Sequence, residues 1–191
     1  MIGPHDTTSS DIEYALLGLL QERPMHGYEL AQILRTQTGL GLIWEVKQSN
    51  LYGLLAKLER ERFVFADRQD QPNRPARKIY HLTDAGARAV ESWIRNPVTH
   101  GRSIRVELLA KLYFAEKIDR KAAAELIASQ KAACRNLFEA IRRRRSELGR
   151  SEGFDRMVYE FRAGQLRSTQ RWLDRCAAFY SVDASGKRVP S

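Results

Sequence analysis

Apolar residues recur at helical spacing along most of this chain and give way to alternation only between residues 63 and 82. Ile12, Ala15, Leu16, Leu19 and Leu20 line one side of a first predicted helix, and Pro24 ends it because proline cannot continue the hydrogen-bond ladder. Ser10-Asp11-Ile12-Glu13 fits a capping box and places the start of that helix at Ser10. Tyr28, Leu30, Ala31, Ile33 and Leu34 mark a second helix after the breaker around Gly27. A third is predicted over residues 46–60, with Leu51, Leu54, Leu55 and Leu58 as its buried stripe and Lys47, Gln48, Ser49 and Asn50 at its polar start. Phe63-Val64-Phe65 and Arg77-Lys78-Ile79-Tyr80-His81-Leu82 read as two short strands, with the turn-forming Asp70-Gln71-Pro72-Asn73-Arg74-Pro75 between them. Three helices followed by a basic hairpin predict a winged helix-turn-helix.

Beyond the hairpin the pattern stays helical, so the fold class is mainly α. One helix is expected over Asp84–Arg95, and a turn-rich break follows at residues 96–101. Val106, Leu108, Leu109, Leu112, Tyr113 and Phe114 form a strongly apolar helix. Asp119 is placed to cap a long one from residue 120 to about 148. A further helix at 154–180 carries Phe154, Met157, Val158, Phe161, Leu166, Trp172, Leu173, Cys176, Phe179 and Tyr180 on or near one face. The expected organisation is a winged helix-turn-helix DNA-binding domain over 1–96 and an all-α dimerisation and effector domain over 97–181. A small, polar tail without fixed structure is expected over 182–191. Helices this apolar carry more surface than they can bury against one another, which points to a homodimer. Such a dimer would set two reading helices about one DNA turn, ~34 Å, apart.

Charge sharpens the picture. The 191 residues carry a formal net charge of +9, and Arg68, Arg74, Arg77 and Lys78 cluster in the predicted wing, which favours double-stranded DNA as partner. Gln48, Ser49, Asn50 and Tyr52 are the candidates for base or groove contact. Lys47, Arg74, Arg77 and Lys78 are those for phosphate or minor-groove anchoring, and Tyr28 is placed to reach the DNA backbone. Arg142-Arg143-Arg144-Arg145 points around a helix rather than along one face and reads as a solvated helix end.

Catalysis is not expected. No phosphate-cradling glycine loop, metalloprotease helix, nucleophile elbow or paired metal ligands occur, and Gly39-Leu40-Gly41 lacks the rest of a dinucleotide site, so neither cofactor nor metal is predicted. Cys134 and Cys176, far apart in sequence, read as reduced, packed thiols. Residues 1–10 lack the basic-then-apolar order of a secretion signal and no apolar run reaches bilayer length, so the expectation is a cytoplasmic protein without membrane contact. A dimeric adaptor whose winged domain binds protein is the competing reading. Steep weakening of binding by salt would favour DNA over it.

Several segments in order resemble one family. They are Glu13-Tyr14-Ala15-Leu16-Leu17-Gly18-Leu19-Leu20, Pro24, His26-Gly27-Tyr28-Glu29-Leu30, and Trp44 followed by Ser49-Asn50-Leu51-Tyr52-Gly53-Leu54-Leu55 with Leu58-Glu59. With Arg74-Pro75-Ala76-Arg77-Lys78-Ile79-Tyr80 and Leu82-Thr83-Asp84-Ala85-Gly86, they resemble the PadR family of bacterial transcriptional regulators. The stretch from Arg105 to Ala115 and Arg171-Trp172-Leu173 are similar to the C-terminal domain of its longer members. Arg62 is a departure, standing where many members have glycine after the third helix, and it puts a left-handed helix ending there in question. The resemblance implies a repressor released from a palindromic operator by a small, often aromatic or phenolic, effector. Trp93, Tyr113, Tyr159, Arg162 and Trp172 are the candidates for its contacts, Arg162 because a guanidinium can fork onto a carboxylate. Aromatic stripes at helical spacing more often pack than bind.

Overall fold

The computed structural model describes residues 7–36, 39–44, 46–71, 74–148 and 153–181; the predicted tail at 182–191 lies outside them. Helix α1 (Thr7–Glu22) buries Ala15, Leu16, Leu17, Leu19 and Leu20. It begins upstream of Ser10, so the predicted capping box does not form there. Glu13 lies inside the helix, fully buried, and accepts hydrogen bonds from Lys57 on both carboxylate oxygens. Strand β1 (Met25–His26) follows, a two-residue element absent from the sequence prediction, and then α2 (Gly27–Arg35) and a 3-10 turn at Gly39–Leu42. Helix α3 (Gln48–Arg60) starts later than predicted: Val46 is buried ahead of it, and Lys47 is its extended N-cap.

Strands β2 (Val64–Gln71) and β3 (Arg74–Leu82) pair antiparallel, with β1 on the other side of β3. Both wing strands outrun the predicted ones, and the residues predicted as turn mostly belong to them. Their outer halves are polar in sequence, so backbone pairing rather than apolar alternation marks them as strands. Gln69 pairs with Arg77 and Gln71 with Arg74, so Pro75 and Ala76 oppose Asp70 alone. That bulge falls at a proline, which has no N–H to give the ladder.

Arg62 resolves the departure noted above. Its φ is 61°, in the left-handed region, and the backbone N–H groups of Arg62 and Phe63 donate to the carbonyls of Glu59 (3.1 Å) and Leu58 (3.0 Å). That is a Schellman ending built with arginine in the glycine position. Thr83 Oγ1 donates to the Arg62 carbonyl at 2.9 Å and steadies the exposed turn. Helix α4 has the predicted bounds, Asp84–Arg95.

Three helices follow: α5 (Ile104–Ile118), α6 (Arg120–Ser146) and α7 (Gly153–Tyr180). Asp119 caps α6 as expected, its Oδ1 accepting from the Ala122 N–H at 2.6 Å. The described residues through Ile94, with Leu109–Phe114, form one compact unit; Arg95–Leu108 and the residues from 115 onward form another. In the first, Leu16, Leu17, Leu30, Leu34, Leu51, Leu55 and Leu58 are fully buried, each worth about 1.5–3 kcal/mol of transfer from water. In the second, the buried amide of Gln130 closes on the backbone of Val98. It accepts from the N–H (2.7 Å) and donates to the carbonyl (3.0 Å), like a single rung of sheet. Tyr180 donates to Glu116, and the Arg120 guanidinium lies over the Phe179 and Tyr180 rings while donating to the Phe179 carbonyl. Burial and then the Glu116 contact push the Tyr180 phenol far above its ordinary value.

Candidate nucleic-acid interface

The leucine stripe turns α3 so that its first turn looks outward. Leu51, Leu55 and Leu58 are buried while Ser49 and Asn50 are exposed, and the Lys47 carbonyl accepts from the N–H groups of Asn50 (3.0 Å) and Leu51 (3.2 Å). Lys47 makes no side-chain cap. An amide and a hydroxyl therefore stand free of the core at the helix start, the groups that can pair with base edges. Tyr52 follows on the exposed side, and its ring lies against the beginning of α2. A Cβ on Gly27 would sit 2.7 Å from the ring carbon Cε1, so only glycine permits that approach. The neighbouring Tyr28 is 63% exposed.

The turn into α2 is clasped locally. Glu29 accepts from the His26 N–H at 2.8 Å and pairs with Arg23 at 3.1 Å, and the backbone bond, aided by Arg23, holds its carboxyl below the usual range. The His26 ring Nδ1 donates to the Lys78 carbonyl (3.2 Å), so His26 ties this turn to the wing.

Lys78 leaves β3 toward the end of α3, where its Nζ meets Glu59 Oε2 at 2.9 Å with the side chains 41% and 34% exposed. Arg68 stands directly opposite Lys78 in the β2–β3 register, so two cations share one face of the hairpin. Tyr80, on that face, is buried, and burial raises its phenol above the ordinary value. On the other face Phe65 stacks on His81 at 4.8 Å, and His81 Nε2 lies 3.1 Å from Asp67. The backbone of Gln48, Arg74 and Arg77 is placed in α3 and β3; their side chains lie outside the described part of the structure. Among the described residues no group of three His, Cys, Asp or Glu could hold a metal, and no helix is long and apolar enough to cross a membrane.

Residues 16–92 match the model of the transcriptional regulator PadR-like family, and residues 104–181 match that of the virulence activator alpha C-terminal domain. Residues 16–92 thus carry a PadR-like family domain. The chain is 29% identical over 119 residues to the negative transcriptional regulator PadR of Bacillus subtilis, covering 62% of this chain and 64% of that protein. To a regulator of Mycobacterium tuberculosis, Rv1176c, it is 31% identical over 91 residues, covering 48% of this chain and 47% of the other. The chain thus aligns with less than two thirds of the length of either curated relative. The crystal structure of Bacillus subtilis PadR in complex with operator DNA has a TM-score of 0.44 at 24% identity, covering 88% of this chain and 98% of that one.

Every DNA candidate, from Tyr28 to Lys78, falls inside the PadR-like match. The effector candidates separate into two groups. Trp93 stacks on Tyr14 at 5.1 Å and meets Phe114 edge-on at 6.4 Å, and Tyr113 meets Phe114 at 5.1 Å, all within the first unit. Tyr159 and Arg162 lie one turn apart on α7 with the guanidinium 5.9 Å from the ring, and half-buried Trp172 lies further along the helix. Both thiols are free, and burial raises each above its ordinary value, Cys134 in the interior and Cys176 half-buried. Sequence reasoning placed Glu13 and Glu59 in the family-like segments but missed their pairing with Lys57 and Lys78. A carboxylate set in the apolar run of α1 was the available signal, since an acid is rarely fully buried without a partner.

Proposed function

We propose that the chain is a homodimeric transcriptional repressor that reads a palindromic DNA operator with the start of α3 and anchors to phosphate through its wing. The observation that carries this reading is the pairing of exposed Ser49 and Asn50 on a leucine-fixed helix with two cations, Arg68 and Lys78, on one face of the adjoining hairpin. Gln48 and Tyr52 complete the proposed reading surface, and Lys47, Arg74, Arg77 and Tyr28 the backbone contacts. The name of the Bacillus subtilis relative, a negative regulator, supports repression. Dimerisation is supported by α7, whose amino-terminal half leaves Phe154 (73%), Met157 (63%) and Phe161 (66%) exposed. A small aromatic or phenolic ligand, contacting residues among Trp93, Tyr113, Tyr159, Arg162 and Trp172, would release the operator by favouring a dimer whose half-site spacing no longer matches the DNA.

Gel-shift titration tests the division of labour. Asn50→Ala should cost about 1–3 kcal/mol at one base pair, and Lys78→Ala should weaken all sequences alike and lower the salt slope by about one. Equal effects of both changes on every duplex would overturn it. Thermal-shift screening with phenolic acids tests the ligand, which must raise the melting temperature if it binds the folded state.

A further inference from the structure

Helix α3 carries an ion pair that the reading above does not use. Lys57 Nζ donates to both oxygens of Glu13, at 2.8 and 2.9 Å, across 44 positions of sequence, and Glu13 is 0% exposed within α1. We infer that Glu13 is a positioning residue for base reading: through Lys57 it fixes the rotation of α3 about its own axis and so the direction in which Asn50 points. This inference rests on the proposal that the start of α3 reads DNA.

The argument is angular. Asn50 and Lys57 are seven residues apart, about 20° short of two full turns, so they lie almost in line on one side of the helix. Whatever holds the Lys57 ammonium therefore holds the azimuth of Asn50. Leu51, Leu55 and Leu58 keep the helix seated, but apolar burial is non-directional, whereas a two-pronged hydrogen bond to an immobile carboxylate is not. A rotation of about 20° moves a side-chain tip lying ~5–6 Å from the axis by about 2 Å, more than the few tenths of an ångström over which hydrogen bonds to a base edge stay good. Glu59, about 200° further round the helix than Lys57, meets Lys78 of the wing, so α3 is tethered on two nearly opposite flanks. The Glu13 tether has its acid inside the core, with Lys57 reaching in from a partly exposed position.

The test compares the intact wild-type chain with Glu13→Gln and with the double variant Glu13→Ala/Lys57→Ala, which removes the tether without leaving a buried charge unpaired. The probes are the duplex that the wild-type chain enriches from a randomised library and a shuffled duplex of the same composition. Circular dichroism and thermal melting correct each affinity for the folded fraction. For the double variant we expect the shuffled duplex to bind within about twofold of wild type. Its affinity for the enriched duplex should fall about ten- to a hundredfold, and library selection should return a degraded motif. Glu13→Gln, which keeps one acceptor for Lys57, should fall in between and so rescue part of the discrimination. A purely structural role lowers both affinities by one factor once folding is corrected; that outcome, or no change in either, overturns the inference. If the wild-type chain enriches no sequence at all, the DNA reading fails and the positioning role of Glu13 falls with it.

Discussion

The two units differ in the surfaces they present. In the first, the leucines of α1, α2 and α3 are turned inward, and the surface around the α3 start and the wing presents Ser49, Asn50, Arg68 and Lys78. In the second, large apolar side chains remain outside at Phe154, Met157 and Phe161, while the amide of Gln130 is sealed within. The difference teaches what each surface can recognise. A polar, cationic face loses little by staying wet and suits a polyanion. An aromatic face at the start of a long helix is stable only when something apolar covers it.

The contrast breaks first at α7. Phe154→Glu with Phe161→Glu should weaken self-association about a hundredfold or more while leaving circular dichroism unchanged, because two aromatic side chains at ~1.5–3 kcal/mol each would be lost from the proposed interface. Light scattering across a concentration series reads it, and a wild-type chain that is already monomeric would remove the basis for the comparison. Within the second unit, Gln130→Ala strips partners from the buried N–H and carbonyl of Val98 and should cost about 2–4 kcal/mol in urea unfolding. A loss under 0.5 kcal/mol would show that water replaces the amide at ~no net cost. The smallest effect belongs to the first unit. Arg62→Gly should stabilise by about 0.5–1 kcal/mol, because glycine occupies the left-handed position without the Cβ penalty. A destabilised variant would mean that the arginine side chain compensates its own strain.

Features legible in the sequence are those fixed within a few neighbours. Helix α4 runs between its predicted ends, and Asp119 caps α6 because a carboxylate at that position answers the amides just after it. The winged arrangement was readable from the order of periods. What escaped was set by partners far along the chain. Met25–His26 becomes a strand only because Tyr80 and Ile79 lie alongside it. Glu13 fits a capping box locally but is claimed by Lys57, a charge 44 positions away that offers it two hydrogen bonds in the core. The outer wing is too polar for alternation to reveal it, and its strands show only in the backbone pairing. Among the candidate site residues, the exposure of Ser49, Asn50, Tyr52 and Tyr28 follows from the leucine spacing, whereas the union of Lys78 with Glu59 depends on a strand crossing back over the end of α3.

That last union bears on kinetics. If the wing anchors phosphate as proposed, a nucleic acid landing there must pull Lys78 away from Glu59, and the abandoned carboxylate then repels the arriving phosphate. Each arrival is slowed a little and each departure is hastened, because re-forming the internal bond rewards escape. For a searcher that must sample many wrong addresses before the right one, such a built-in release spring shortens every fruitless stop.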